Sequence, residues 1–193
     1  MRLVIMGPPG AGKGTQAKVI AQRLAVPAVS TGDIFRVNVT QRTELGREAK
    51  RYMDAGDYVP DAITNAMVRA RLAEPDAADG FLLDGYPRTV SQVEELDSML
   101  AERGSGLDAV LLLTVDRDEV VERLARRARD EGRADDTVEV IGHRQDVYAD
   151  QTAPLVEVYD GRGLLVRVDG MGPVDEVTSR VLRVLDQAGA AAS

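Results

Sequence analysis

An α/β fold, a five-stranded parallel sheet with helices on both faces, is predicted by three observations. Five short apolar runs, Leu3 to Met6, Ala28 to Ser30, Phe81 to Leu83, Val110 to Val115 and Leu164 to Val168, have the near-continuous hydrophobicity of strands buried on both faces. Between and after them lie stretches with three-and-four spacing: Ile63, Ala66, Met67 and Ala70, then Val93, Leu96 and Leu100, then, beyond the last run, Val174, Val177 and Val181. The first run leads through a glycine-rich loop into a helix-compatible stretch from Gln16 to Leu24, the opening of a parallel crossover unit.

Each element follows in order along the 193 residues. After the second run, Gly32 to Leu72 is largely helical with no strand. The third run ends before Asp84, which opens the string Asp-Gly-Tyr-Pro-Arg. There Gly85 permits close backbone approach, and Pro87, a candidate cis proline, fixes a turn that aims Arg88 back toward the glycine loop. The fourth run ends before Asp116, placed to cap a helix beginning at Arg117 with Glu119 three residues later. Arg126 to Asp136 is short, charged and glycine-containing, and Ala188 to Ser193 reads as a frayed tail. Both interruptions of the alternation follow carboxyl ends of strands, where ligands of open α/β sheets bind, and so are candidates for a substrate cover and a lid.

The loop itself, Gly7 to Thr15, reads Gly-Pro-Pro-Gly-Ala-Gly-Lys-Gly-Thr. Its glycines let backbone N–H groups turn toward an anion, the following helix adds the positive end of its dipole, and Lys13 supplies a mobile cation for the outer phosphates of ATP or GTP. Gly14 stands where a serine or threonine normally follows the lysine, so the magnesium-facing hydroxyl falls to Thr15. Asp84, at the end of a buried strand beside this loop, suits the same ion directly or through water; a turn-capping aspartate is the other reading.

Composition narrows the function further. A net charge of -8 argues against general binding to nucleic acid or anionic membranes. Without cysteine there is no disulfide, thiolate site or thiol nucleophile, and the single histidine, His143, excludes a multi-histidine metal site. Anionic ligands must be met by local clusters, and lysine occurs only at 13, 18 and 50, so the remaining basic residues are arginines, whose planar forks grip phosphate oxygens in pairs. No apolar run approaches bilayer length and no signal peptide is expected, so a cytoplasmic protein is anticipated.

The loop, Ser30-Thr31-Gly32-Asp33, Asp84 to Arg88, Arg133-Ala134-Asp135-Asp136, Thr152-Ala153-Pro154-Leu155 and Val168-Asp169-Gly170 occur in the order seen in adenylate kinases. From residue 1 to about 186 the chain resembles that family of P-loop kinases, in its short-lid form. The resemblance implies a P-loop NTPase type of sheet in a single domain over 1–186: core 1–29, 73–125 and 137–186, a helical AMP-binding insertion at 30–72 and a short lid at 126–136, with a tail at 187–193. It implies Mg²⁺-dependent interconversion of ATP and AMP with two ADP, and a monomer is the default expectation. On the donor side it implies Gly10, Ala11, Gly12, Lys13, Gly14 and Thr15 around the triphosphate, Arg123 against the base, Arg127 near the transferred group, and backbone at Gly172 touching adenine. On the acceptor side it implies Arg36 and Arg88 on the AMP phosphate, Thr31 and Gln92 at adenine, Met53, Val59 and Gly85 along the site, and Arg133 and Arg144 at the transferred phosphoryl group. Lys13, Arg88, Arg123, Arg133 and Arg144 form the implied catalytic set.

Several positions have a second reading from the residues alone. Gln92 fits an exposed first-turn helix position and Met53 fits core packing. Arg123 and Arg127, four apart, fit a solvated helix face with Glu119 and Glu122. Arg133 and Arg144 fall on similar faces only if helix fills the interval. Asp135 and Asp136 fit either a cap for a helix from Thr137 or partners for lid arginines, and His143 fits a surface helix. The chain departs from the family pattern at Arg126, where glycine is common, at Ala128 to Glu131, which looks like a small insertion, and at Asp57, where a lysine occurs in relatives. A kinase for UMP or CMP shares most of the motifs, although Thr31 and Thr89 favour AMP; a nucleotide-binding regulatory module without turnover is the alternative from another class.

Overall fold

The computed structural model describes residues 1–116, 119–120, 123–124 and 138–191. Five strands, β1 (Arg2–Met6), β2 (Ala28–Ser30), β3 (Phe81–Asp84), β4 (Ala109–Thr114) and β5 (Leu165–Asp169), form one sheet in the order β2-β3-β1-β4-β5. All neighbours are parallel. The helices are α1 (Lys13–Leu24), α2 (Thr31–Thr40), α3 (Glu44–Ala55), α4 (Asp61–Leu72), α5 (Val90–Ala101), α6 (Val138–Val147), α7 (Leu155–Gly161) and α8 (Val174–Ala191), with a 3₁₀ turn at Pro75–Ala77 and a π-helical turn at Tyr148–Thr152.

Alternate side chains of the strands feed two separate cores, which is why the runs read as continuously apolar. Val4, Met6, Leu83, Val110 and Leu112 pack on one face with Val68 and Leu72 of α4, Val93, Leu96 and Leu100 of α5, and Tyr159 of α7. Leu3, Ile5, Leu82, Leu111 and Leu113 pack on the other with Ala17 and Ile20 of α1 and Val177, Val181 and Leu185 of α8. A polar tie joins the second layer: Gln16 Nε2 donates to Val174 O at 2.9 Å, and the Thr178 hydroxyl donates to Gln16 Oε1 at 2.8 Å.

Five expectations are corrected. Asp84 is the last residue of β3, paired in register with Ile5 and Ser30, rather than the first beyond it. Helix α1 begins at Lys13, three residues before the stretch read as helical, because the glycine loop hands directly into its first turn. The buried row of α4 is Thr64, Val68 and Leu72, while Ala66 and Ala70 are exposed; the Thr64 hydroxyl faces inward because it donates to the Val59 and Pro60 carbonyls, both at 3.3 Å. In α8, Val174 is exposed and the buried row runs through Val177, Thr178, Val181 and Leu185. The alanine-rich end continues α8 to Ala191 instead of fraying from Ala188, in keeping with alanine's helix preference.

Registry lines up the carboxyl ends of β1, β2 and β3, and β1 sits where the order of strands turns from one side of the sheet to the other. That edge is the crevice in which open parallel sheets bind ligands. Helices α2, α3 and α4 lie between β2 and β3 around their own small core of Phe35, Ala49 and Val59. Among the described residues no helix is long and apolar enough to cross a membrane.

Candidate active site

Two clefts open at the carboxyl edge of the sheet. The larger, about 770 Å³, is lined by residues 9–16, Asp84, Glu119, Arg123 and the stretch from Gly170 to Val174, a size within the range of about 300–1,000 Å³ usual for small-molecule sites. The smaller, about 120 Å³, lies between α2, α3, α4 and the Gly85 to Arg88 turn, and also receives Arg144, Tyr148 and Thr152. Lys13, Arg36, Arg88 and Arg144 line both clefts. Four cations therefore mark the junction.

On the larger cleft, Gly12 caps α1 in a left-handed conformation, φ 85°, with no side-chain cap hydrogen bond and no acidic residue in the first turn. The positive end of α1 is thus not offset by a capping side chain or a carboxylate of its own first turn, an arrangement that favours an anion. Lys13 Nζ donates to Gly7 O at 2.7 Å and Pro8 O at 2.9 Å, which holds it across the loop. Thr15 is exposed on the same turn, and a Cβ on Gly14 would stand 3.4 Å from Asp84 Oδ2. A hydroxyl and a carboxylate thus flank the loop, oxygen donors of the type magnesium takes. Among the described residues no group of three or more histidine, cysteine, aspartate or glutamate side chains could enclose a metal.

Arg123 makes a helix pair with Glu119 and also lines the larger cleft. Its Nε donates to Glu119 Oε1 at 2.9 Å, the expected helix pair, while Nη1 reaches Gly170 O at 3.2 Å and lies about one contact from where a Cβ on Gly12 would be, 4.0 Å. Glu119 is therefore engaged with Arg123. Val120 N donates to Asp116 O at 3.1 Å, placing Asp116 at the start of a helical turn as expected.

On the smaller cleft, the Tyr86–Pro87 peptide is cis. Gly85 has φ 82°, and a Cβ there would lie 2.7 Å from Thr31 Oγ1 and 2.8 Å from Arg88 Nη2, so only glycine fits. The Thr31 hydroxyl donates to Gly85 O at 3.0 Å, and Arg88 Nε donates to the same oxygen at 2.7 Å. Arg36 is folded back on Asp33. Gln92 is 1% exposed, which removes its reading as an exposed helix position. Its Oε1 accepts from Arg88 N at 2.7 Å and its Nε2 donates to Asp61 Oδ1 at 2.6 Å, while Asp61 Oδ2 accepts from the Thr89 cap at 2.8 Å. Met53 packs with the α2–α3–α4 core and also lines the cleft. Burial pushes the Tyr148 hydroxyl up to about 12 and that of Tyr86 higher still, so both stay protonated at neutral pH.

All the site residues expected from the sequence that fall among the described residues line one cleft or the other; Arg127 and Arg133, with the segment 126–136 and Asp135 and Asp136, lie outside the described residues. Sequence reasoning missed the pieces that come from far along the chain. Thr152 donates to Arg88 O at 2.9 Å and meets the Tyr58 hydroxyl at 2.7 Å, and the Arg88 guanidinium lies 4.8 Å over the Tyr58 ring. His143 is exposed on α6 as read, yet its Nε2 is 2.6 Å from Asp57 Oδ1, and Gln145 Nε2 donates to Pro9 O at 3.0 Å. Only Thr152 stood in a motif that could have been noticed; Tyr58, Asp61 and Gln145 carry no periodic or motif signal.

A parallel sheet in this order, a phosphate loop and two clefts sharing four cations define a P-loop phosphotransferase of the nucleoside monophosphate kinase type. The adenylate kinase family model matches residues 5–164. Adenylate kinases of Nocardioides sp., Kocuria rhizophila and Thermobifida fusca are 67%, 63% and 60% identical, over 96% of this chain in each case and over 97%, 99% and 98% of those proteins. The chain belongs to the adenylate kinase family.

Proposed function

We propose that this chain transfers the terminal phosphoryl group of ATP reversibly to AMP, giving two ADP, with ATP in the larger cleft and AMP in the smaller. The observation that carries this reading is the junction, where Lys13, Arg36, Arg88 and Arg144 line both clefts. Two bound nucleotides would bring their phosphates together there, and a transferred group needs cations on both sides.

In this reading the loop amides from Gly10 to Thr15 and Lys13 hold the triphosphate, and Arg123 with backbone at Gly172 borders its adenosine. Thr15 and Asp84 would hold magnesium, Asp84 through water; when bound, that ion neutralises charge on the ATP phosphates. Arg36 and Arg88 grip the AMP phosphate, with Gly85, Met53 and Val59 shaping the site and Thr31 and Gln92 at the base. Arg144 faces the transferred group, and Arg127 and Arg133 would close over it from the lid. An AMP phosphate oxygen forms the new bond to phosphorus as the bridging bond to ADP breaks. That oxygen is already anionic, so no proton need be removed, which accords with Tyr148 staying protonated in the smaller cleft and with the chain's one histidine, His143, being absent from the lining of both clefts. Alignment and charge stabilisation then supply the catalysis, and closure excludes water. A monomer in the cytoplasm, with ATP, AMP and ADP as its ligands, completes the proposal.

Gln92 gives one Nε2 proton to Asp61 and accepts one hydrogen bond from Arg88 N at Oε1, so its second Nε2 proton and second Oε1 lone pair are what would read adenine. The smaller cleft, well below the usual ligand-site volume, must widen. The test is an acceptor panel with Mg²⁺-ATP: AMP is phosphorylated far faster than UMP, CMP or GMP. Equal rates with CMP point to a pyrimidine nucleotide kinase, and no transfer to any acceptor leaves a regulatory module.

A further inference from the structure

We propose that Thr152 and Tyr58 act together as positioning residues for Arg88, so that the guanidinium meets the acceptor phosphate already oriented; this rests on the reaction proposed above. Thr152 closes the π-helical turn between α6 and α7 and is 5% exposed. Its hydroxyl has one proton, which it gives to Arg88 O at 2.9 Å. The 2.7 Å contact with Tyr58 is then made by the phenol donating into Thr152 Oγ1. One hydroxyl thus fixes Arg88 twice, directly at its backbone and indirectly through the ring 4.8 Å beneath its guanidinium.

The third restraint is Nε, donated to Gly85 O at 2.7 Å. With the face on Tyr58 and Nε on Gly85, the terminal amino groups are the part of Arg88 directed to a phosphate. An arginine held in this way loses little side-chain freedom when its ligand arrives, so the restraint favours acceptor binding without touching the acceptor. The geometry joins three stretches far apart in the chain: the α3–α4 connection, the Asp-Gly-Tyr-Pro-Arg turn and the π-helical turn. Hydroxyl and ring have separable effects. Loss of the Thr152 hydroxyl frees backbone and ring together, loss of the Tyr58 hydroxyl alone frees only the ring, and loss of the ring removes the stacking surface.

Steady-state rates are measured with AMP varied at saturating Mg²⁺-ATP, and with ATP varied at saturating AMP. Thr152→Val raises KM for AMP about tenfold, the scale of one or two lost hydrogen bonds, and leaves KM for ATP within twofold. Tyr58→Phe gives a smaller rise, Tyr58→Leu a rise like that of Thr152→Val, and Thr152→Ser restores the parent value. In an Arg88→Met background, Thr152→Val adds no further rise, because the group it positions is gone. An unchanged KM for AMP in Thr152→Val and Tyr58→Leu, an equal rise for ATP, or the same tenfold rise in the Arg88→Met background overturns the positioning role. If Thr152→Val does not fold, the two Tyr58 variants decide it. Failure of the parent chain to phosphorylate AMP would instead defeat the proposed function, before any variant is compared.

Discussion

Replacing Gly85 by alanine separates backbone strain from the close approach that builds the acceptor site. An alanine at φ 82° pays about 1–2 kcal/mol for its left-handed conformation. Its Cβ would also stand 2.7 Å from Thr31 Oγ1 and 2.8 Å from Arg88 Nη2, so both must move. Displacing the Thr31 hydroxyl from Gly85 O adds about 1 kcal/mol. Gly104 provides the control, because its φ is 61° and a Cβ there would meet nothing within 4 Å. With about 2–4 °C of Tm per kcal/mol in a chain of this size, Gly85→Ala lowers Tm by about 4–12 °C and Gly104→Ala by about 2–8 °C, Gly85→Ala falling further by the loss at Thr31. Kinetically the two diverge further: Gly85→Ala raises KM for AMP at least about tenfold by shifting Arg88, whereas Gly104→Ala leaves it unchanged. Calorimetry and initial rates read both effects. Equal Tm losses in the two variants with an unaltered KM for AMP would refute the account of Gly85 as a spacer for Thr31 and Arg88.

Arg88→Met should lower AMP-dependent turnover by roughly 10²-fold, about 2.7 kcal/mol, with Tm close to the parent; a folded variant at near-normal rate would remove Arg88 from the transition state. His143→Asn should keep turnover at saturating nucleotides within about threefold from pH 6 to 9, since an anionic acceptor needs no base; a much larger loss confined to turnover would contradict this. Acid stability has its own test. Hydrogen bonds from Arg71 and Arg69 hold Asp76 and Glu102 below their ordinary values. A depressed carboxylate contributes stability that is present above its unfolded pKa, about 3.9 to 4.3, and is lost as pH falls through the folded value. Asp76→Asn with Glu102→Gln should therefore lower Tm slightly at pH 7 and not at pH 2, with both pairs exposed enough to keep the effect small; a Tm difference that grows below pH 4 would reverse the sign.

The five strands were legible because a sheet covered on both faces makes its runs apolar throughout, and the phosphate loop because glycine spacing and Lys13 carry its chemistry locally. Helix faces were less legible where hydroxyls pointed inward. Thr64 satisfies its hydroxyl on a backbone carbonyl and Thr178 on the Gln16 amide oxygen, so both occupy core rows that an apolar count assigns elsewhere. The smaller cleft was legible as a set of lining residues but not as a network. Nothing near Gln92 in the sequence announces that Asp61, 31 positions away, holds its amide, or that Thr152, 64 positions beyond Arg88, holds that residue's carbonyl. Gly85 illustrates the mixture, since its need for open backbone was readable while the two side chains that enforce it were not.

The central claim is that two nucleotides meet at one junction lined by Lys13, Arg36, Arg88 and Arg144. Titration calorimetry with two adenosines joined through five phosphates tests it most directly. One mimic should bind per chain, and the saturated protein should show no residual heat with either ATP or AMP, because a single molecule fills both clefts. A mimic that blocks ATP while AMP still binds with its original affinity would place the acceptor elsewhere and contradict the account.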